Sequence, residues 1–394
     1  VPITGDSGAP RQQPDSASDK INVMVVDDSA VVRGLIVRML EADPAIHVVA
    51  SVGNGQMAIN NLQRHDVDVV VLDIEMPVMD GLTALPKLLQ IDPSIKVIMA
   101  STLTLRNAEI SIRALEAGAA EYIPKPSSAR DISAGDEFKR DLLDKVRTLG
   151  NVRRQSRGPR PAPARPVAPA PVARPTAPTP SPAPRSALGH GPVVLRQPGK
   201  SKPEILAIGS STGGPQALFA LLKDLRVGQL KLPVVITQHM PPTFTTILAD
   251  HINRMTGWPC KEAQEGDVVT AGQILLAPGD FHMLIETKGV QKVARLTKDA
   301  PENFCRPAVD PMFRSVSRAY GDRVLAVVLT GMGSDGAKGG KVIVDAGGTV
   351  LAQDEASSVV WGMPGAAATS GICSAVLPLR ELGSYITKFA NRGP

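Results

Sequence analysis

Two sets of residues in this 394-residue chain have the types and spacing to do chemistry. The first is Asp27, Asp28, Asp73, Ser101 and Lys125, each just after a short β-branched run. Three carboxylates gathered in space make a hard-oxygen cage suited to Mg²⁺, which keeps waters that a phosphoryl donor can replace. A hydroxyl and an ammonium beside them supply further contacts to a phosphoryl group. The second set is Ser211, His239 and Asp335, again at the ends of apolar runs. Hydroxyl, imidazole and carboxylate are the parts of an acyl-transfer triad, and the order Ser, His, Asp is no objection because such triads are defined by geometry.

Within "IGSSTGG" two serines compete for the nucleophile's place. A nucleophile on a sharp strand-to-helix turn needs small residues two positions to either side. Ser211 has Gly209 and Gly213 there, whereas Ser210 has Ile208 and Thr212. Ser211 is the choice, although a glycine-rich turn of this kind also binds phosphate or simply turns the chain. For His239 the metal alternative lacks a second ligand at helical spacing, since no HExxH is present. The glycines at 331, 333 and 336 around Asp335 suit a backbone that approaches a substrate and donates N–H groups to an oxyanion.

These residues need scaffolds that bring strand ends together. From residue 20 to 148, five β-branched runs ("INVMVV", "IHVVASV", "VDVVVLD", "KVIMAS", "EYIPK") alternate with amphipathic helical patterns, which predicts a doubly wound parallel sheet. The alternation resumes over 203–394 with "EILAIGS", "PVVITQ", "DRVLAVVLT" and "TVLAQ", predicting a second α/β domain with a mostly parallel sheet. Inside it, "ILLAPGDFHMLIETKGVQKVARLT" reads as an antiparallel hairpin insertion joined at Lys288-Gly289. In such sheets chemistry is sought at the carboxyl ends of the strands. Residues 149–202 form a Pro/Ala/Arg-rich linker, expected to be an extended polyproline-like spacer, and residues 1–19 a disordered tail.

Composition excludes several classes. The net charge of +5 belongs to the linker, because residues 151–202 hold ten Lys or Arg and no Asp or Glu, leaving the rest acidic. A nucleic-acid partner is therefore not expected. No apolar run reaches the roughly 18 residues of a membrane helix and the N-terminal stretch has no signal-peptide core, so a cytoplasmic protein without membrane insertion is expected. Cys260, Cys305 and Cys373, odd in number and without a CxxC pair, read as buried free thiols.

With Pro77, "MDG" at 79–81 and the Lys125-Pro126 pair, residues 20–148 resemble the response-regulator receiver domain, a flavodoxin-like fold. That resemblance implies that Asp73 accepts a phosphoryl group from a chemotaxis histidine kinase. It implies further that Asp28, Asp73 and the Glu75 carbonyl hold Mg²⁺ with Asp27 assisting, and that Ser101 and Lys125 read the phosphate. "IGSSTGGPQAL", "VITQHMPPTFT", "LLAPGDFHM", "RPAVDPMFRSV", "LTGMGSDGA" and "QDEASSVVWGMP" resemble the catalytic domain of the chemotaxis protein-glutamate methylesterases. This second resemblance implies Ser211 as nucleophile, His239 as general base, Asp335 as orienter and the Met332 backbone as oxyanion donor. The expected reaction is hydrolysis of glutamate γ-methyl esters on methyl-accepting chemoreceptors, with deamidation of receptor glutamines at the same site, no cofactor for the ester step, and a monomeric enzyme controlled by the receiver. A DNA-binding regulator would need a helix-turn-helix and a basic surface, and a silent adaptor would not need the Ser, His and Asp together.

Overall fold

The computed structural model describes residues 20–102, 104–125, 136–157, 191–225 and 228–392. The expected N-terminal tail, Pro126 and most of the proline-rich spacer lie outside these residues.

The first domain alternates β1 (Ile21–Val26), α1 (Ala30–Glu41), β2 (Ile46–Val52), α2 (Gly55–Leu62), β3 (Val69–Asp73), α3 (Gly81–Ile91), β4 (Lys96–Thr102), α4 (Leu105–Glu116), β5 (Glu121–Lys125) and α5 (Asp136–Ser156). Helices start where short polar side chains bond back onto the first turn: Ser29, Asn54, Asp80 and Thr104 accept from Val32, Met57, Thr83 and Asn107 N–H. The strands are parallel in the order β2-β1-β3-β4-β5, so the chain reverses direction across the sheet between β1 and β3. The carboxyl ends of those two strands open the crevice of a doubly wound sheet. Helix α5 continues past residue 148, the sequence-based boundary, to Ser156. Arg153 explains the extension: it is fully buried against β3 and α3, bonding Val67 O and pairing with Asp92.

The second domain carries β6 (Ile205–Ser210), α6 (Gly214–Asp224), β7 (Val234–Gln238), α7 (Phe244–Thr256), β8 (Cys260–Glu262), β9 (Ile274–Leu276), β10 (His282–Lys288), β11 (Gln291–Thr297), α8 (Val309–Tyr320), β12 (Val324–Val328), α9 (Ala337–Asp345), β13 (Thr349–Gln353), α10 (Gly362–Thr369), β14 (Cys373–Leu377) and α11 (Leu379–Ala390). Seven strands pair in parallel in the order β14-β13-β12-β6-β7-β9-β8. Both faces are covered. Leu206 and Ile208 of β6 share a core with Leu218 of α6, Leu248 of α7 and Ile386 of α11, while Ile205 and Ala207 share one with Phe313 of α8 and Ile343 of α9. A doubly covered strand must be apolar on each side, which is why "ILAIGS" and "VLAVV" are continuous rather than alternating.

The predicted hairpin is real as β10 and β11, but Lys288 pairs with Gln291, so the turn is Gly289-Val290. Gly289 sits at φ +63°, the left-handed conformation that such two-residue turns require. Ile274–Leu276, read with the hairpin, joins the main sheet beside β7 instead. Pro278 and Gly279 end it, and a side chain at Gly279 would meet the Pro241 and Pro242 backbone. Residues after 190 also belong to this domain: Arg196 N–H bonds Cys373 O and Gly199 N–H bonds Thr349 Oγ1.

The two domains touch. Tyr122 of β5 stacks on Phe244 of α7 with centroids 4.4 Å apart and planes 14° apart. His251 of α7 pairs with Glu116 of α4, and Gln216 of α6 donates to Ala119 O.

Candidate active site

In the first domain the crevice holds the acids expected there. Ligand oxygens of Asp27, Asp28 and Asp73 lie within 4.8 Å of one another. Lys125 Nζ reaches across the sheet to Asp73 Oδ1 at 2.7 Å and Asp27 Oδ2 at 3.0 Å. Burial, opposed by Lys125 and aided by Asp27, raises the Asp73 carboxyl to about 6. Burial would lower the Lys125 ammonium, but Asp73 and Asp27 more than offset it and its pKa is raised. An oxygen-only donor set with one exposed member, Asp28, fits a hard divalent cation with open water positions. Gly81 of the "MDG" turn is required by close approach: a Cβ there would lie 2.1 Å from Asp73 O. Glu75 is exposed, with its side chain outside the acid cluster. Ser101 is buried with its hydroxyl 3.1 Å from Ser111 Oγ on α4, so in this state the hydroxyl faces the helix.

In the second domain β6 is the centre of the sheet and the point from which strand order runs outward in both directions, to β7 on one side and to β12 on the other. Ser211 follows β6 and His239 follows β7. Ser210 and Gln238 are the last register pair, so Ser211 and His239 come next across the ladder, where strands lie about 4.8 Å apart. His239 N–H bonds Ser210 O at 3.2 Å, and Ser211 N–H bonds Thr330 O, beyond β12, at 3.0 Å. The third strand end brings Asp335, whose Oδ2 is 2.8 Å from His239 Nε2.

The serines separate clearly. Ser210 is fully buried and donates to Gln238 Oε1 at 2.7 Å. Ser211 is half-buried, and among the described residues no hydrogen bond reaches its hydroxyl. Glycine is needed on both sides, as expected, but the obstructing groups are side chains: a Cβ at Gly209 would meet Val309 at 2.4 Å and one at Gly213 would meet Val359 at 2.5 Å. At Gly331 a Cβ would fall 2.7 Å from that of Ser211, so the 331–336 loop closes directly over the serine. Met332 follows, and among the described residues its N–H has no acceptor.

Asp335 is held from five directions. Beyond His239, its oxygens accept from Asn303 Nδ2 (2.9 Å) and the N–H groups of Val309 (2.6 Å), Asp310 (2.9 Å) and Gly336 (2.9 Å). Burial alone would raise its pKa, but the His239 hydrogen bond and these N–H donors lower it. Burial would likewise lower the imidazole, yet Cys305 and the Asp335 hydrogen bond push it up to about 10. Asp310 lies behind Asp335; burial and the charge of Asp335 raise its pKa, while its own Oδ1 accepts from Gly336 and Gly339 N–H.

Sequence reasoning missed Asn303, Asp310 and above all Cys305. Cys260 and Cys373 are buried thiols as expected, but Cys305 is half-exposed with Sγ 3.4 Å from His239 Nδ1. The signal was its place in "NFCRPAVD", three residues before the cap of α8, on a loop that returns to the strand ends.

The CheB methylesterase model matches residues 206–386, and the response regulator receiver domain model matches 23–135. A protein-glutamate methylesterase/protein-glutamine glutaminase 1 of Paramagnetospirillum magneticum is 62% identical over 96% of this chain and 98% of its own. The chain belongs to that methylesterase/glutaminase family. A second member, from Rhodospirillum rubrum, is 60% identical over 94% of this chain and 96% of its own. Among solved structures, the Thermotoga maritima CheB methylesterase catalytic domain is 37% identical, with a TM-score of 0.46, and covers 48% of this chain and 99% of its own. In this methylesterase-family chain no helix among the described residues is long and apolar enough to cross a membrane.

Proposed function

We propose that the chain hydrolyses glutamate γ-methyl esters on chemoreceptors, and deamidates receptor glutamines, at a serine-hydrolase site controlled by phosphorylation of Asp73. The observation that carries this reading is the 2.8 Å His239–Asp335 bond at the strand end next to Ser211. The catalytic-domain match over 206–386 contains all three residues.

Ser211 Oγ attacks the ester carbonyl as His239 takes its proton, and Asp335 holds the ring and stabilises its charge. The tetrahedral oxyanion forms beside the 331–336 loop, with Met332 N–H as its proposed donor. The intermediate collapses as His239 returns the proton to the leaving methoxide, releasing methanol and leaving an acyl-serine. Water, deprotonated by His239, then adds to the acyl carbon; the bond to Ser211 Oγ breaks as His239 returns the proton to that oxygen, and the glutamate carboxylate is released. A glutamine substrate follows the same path with ammonia as the leaving group. His239 must be neutral to begin and has one nitrogen committed to Asp335, so its other nitrogen has to reach Ser211.

In the receiver, Asp73 takes a phosphoryl group from a histidine kinase. Asp27, Asp28, Asp73 and the Glu75 carbonyl would hold Mg²⁺, which neutralises charge on the transferring group. Lys125 is already placed to contact the phosphate, whereas Ser101 must turn from Ser111 to do so. The unphosphorylated receiver lies against the catalytic domain through Tyr122–Phe244 and Glu116–His251, and loosening these contacts exposes the site. The deciding experiment is methanol release from methylated receptor membranes with and without a small phosphodonor. Release that depends on Ser211 and rises with phosphodonor supports the reading, and release that survives Ser211→Ala refutes it.

A further inference from the structure

We infer that Cys305 is a positioning residue for the base: while the receiver is docked, its thiol occupies the His239 nitrogen that Ser211 needs. The inference rests on the reading of Ser211, His239 and Asp335 as nucleophile, base and orienter.

An imidazole has two nitrogens and here both are engaged. Nε2 meets Asp335 at 2.8 Å, and Nδ1 faces Cys305 Sγ at 3.4 Å. Because Asp335 is itself anchored by backbone N–H groups of Val309, Asp310 and Gly336, the ring cannot easily surrender that side. Nδ1 is then the nitrogen left to take the serine proton. Thiol and hydroxyl compete for one position, and in this arrangement the thiol has it.

The loop that carries Cys305 is built to be held rather than to rest. Glu302 and Cys305 exchange both backbone hydrogen bonds, at 3.1 and 2.9 Å, forcing Asn303 and Phe304 through consecutive positive φ angles of 52° and 63°. Residues with side chains seldom adopt that conformation, and two in succession persist only where surrounding contacts impose them. Three contacts do so. Asn303 Nδ2 bonds Asp335 Oδ1 and Asp310 Oδ2, and Arg314 pairs with both oxygens of Glu302. The third comes from the other domain: Arg140 of α5 lies over the Phe304 ring, 5.4 Å from its centroid, although that ring is 88% exposed. An exposed aromatic at the tip of a strained loop, with a receiver arginine over its ring, gives the receiver a handle on the next residue, Cys305, whose thiol faces the base. Charged and titratable groups facing His239 are Asp335 from the loop before α9 and Cys305 itself; Asp310, from the start of α8, interacts with Asp335 behind it, and Lys145 of α5 interacts with Cys305 from the receiver side.

The full chain tests this with a serine-directed fluorophosphonate, by following the rate of Ser211 labelling between about pH 6 and 9, with and without a small acyl phosphate. In the unphosphorylated chain Cys305→Ala should label about two- to tenfold faster, the gain from removing one competing hydrogen bond, and the acid limb of the profile should move to lower pH. Cys305→Ser, which restores a competing hydroxyl, should return most of the way to wild type. Arg140→Ala, far from the catalytic residues, should give about two- to fivefold faster labelling without phosphodonor and no change with it. Should Cys305→Ala lose its cooperative thermal transition, Cys305→Ser and Arg140→Ala still decide the question. Slower or unchanged labelling in Cys305→Ala with an unmoved acid limb overturns the inference, as does an Arg140→Ala chain indistinguishable from wild type. A Ser211→Ala chain that still labels strikes instead at the nucleophile assignment, leaving the two failures separable.

Discussion

The phosphoacceptor crevice and the esterase crevice follow the same topological rule but stand at different degrees of readiness. In the receiver, Lys125 already bridges Asp73 and Asp27, and the acid cluster is gathered. In the catalytic domain, Asp335 and His239 are joined while the Ser211 hydroxyl has no hydrogen bond among the described residues and a thiol faces the other imidazole nitrogen. The difference suits the order of events. An input site must be ready for a diffusing phosphodonor, whereas an output site in a regulated hydrolase is better left one rearrangement short of assembly.

Disabling either site alone tests that division most severely. Ser211→Ala should cut kcat/KM for methanol release by about 10⁴ to 10⁶ while leaving phosphodonor labelling of Asp73 intact. Loss of both would mean that the two sites are not separate. Asp73→Asn should abolish phosphoryl labelling altogether and with it the stimulation of methanol release. Labelling that survives would move the acceptor elsewhere.

A smaller effect is expected at the contact between the domains. Tyr122→Ala removes an aromatic stack worth about 0.5 to 1.5 kcal/mol beyond its buried area, so release by the unphosphorylated chain should rise about two- to tenfold. An unchanged rate would show that this stack does not hold the closed state.

A separate effect is on stability. The pKa of His239 is raised in the folded chain to about 10, above the roughly 6.5 of an unperturbed imidazole. Its stabilising contribution is therefore complete below about pH 6.5 and is lost as pH rises through about 10. Thermal unfolding of wild type and His239→Gln across that window should converge at the alkaline end. For catalysis the sign is opposite, because the base must be neutral, so release by the unphosphorylated chain should increase with pH through the neutral range.

Much of this was legible in the chain before any coordinates. Strand runs such as "VDVVVLD" and "VLAVV" name their own secondary structure because strands covered on both faces are apolar throughout. Once strands are parallel, the residues following them converge, and that convergence made Asp73, Lys125, Ser211, His239 and Asp335 candidates. The choice of Ser211 over Ser210 also followed from local sterics. The three-residue strand Cys260–Glu262 went unseen, since so few residues carry no readable period and exist only by pairing with a neighbour; Cys373–Leu377, five residues like Val324–Val328, also went unseen, its outer residues being only partly buried at the sheet edge.

What the tertiary structure alone decided is where each polar group spends its hydrogen bonds. Nothing in the order of residues says that Ser101 turns to Ser111, that Asn303 braces Asp335, or that one cysteine of three faces the base. The reason is physical: covalent order sets backbone preference and which strand end a residue follows, but a hydrogen bond between groups 66 positions apart depends on packing that the whole fold must first complete.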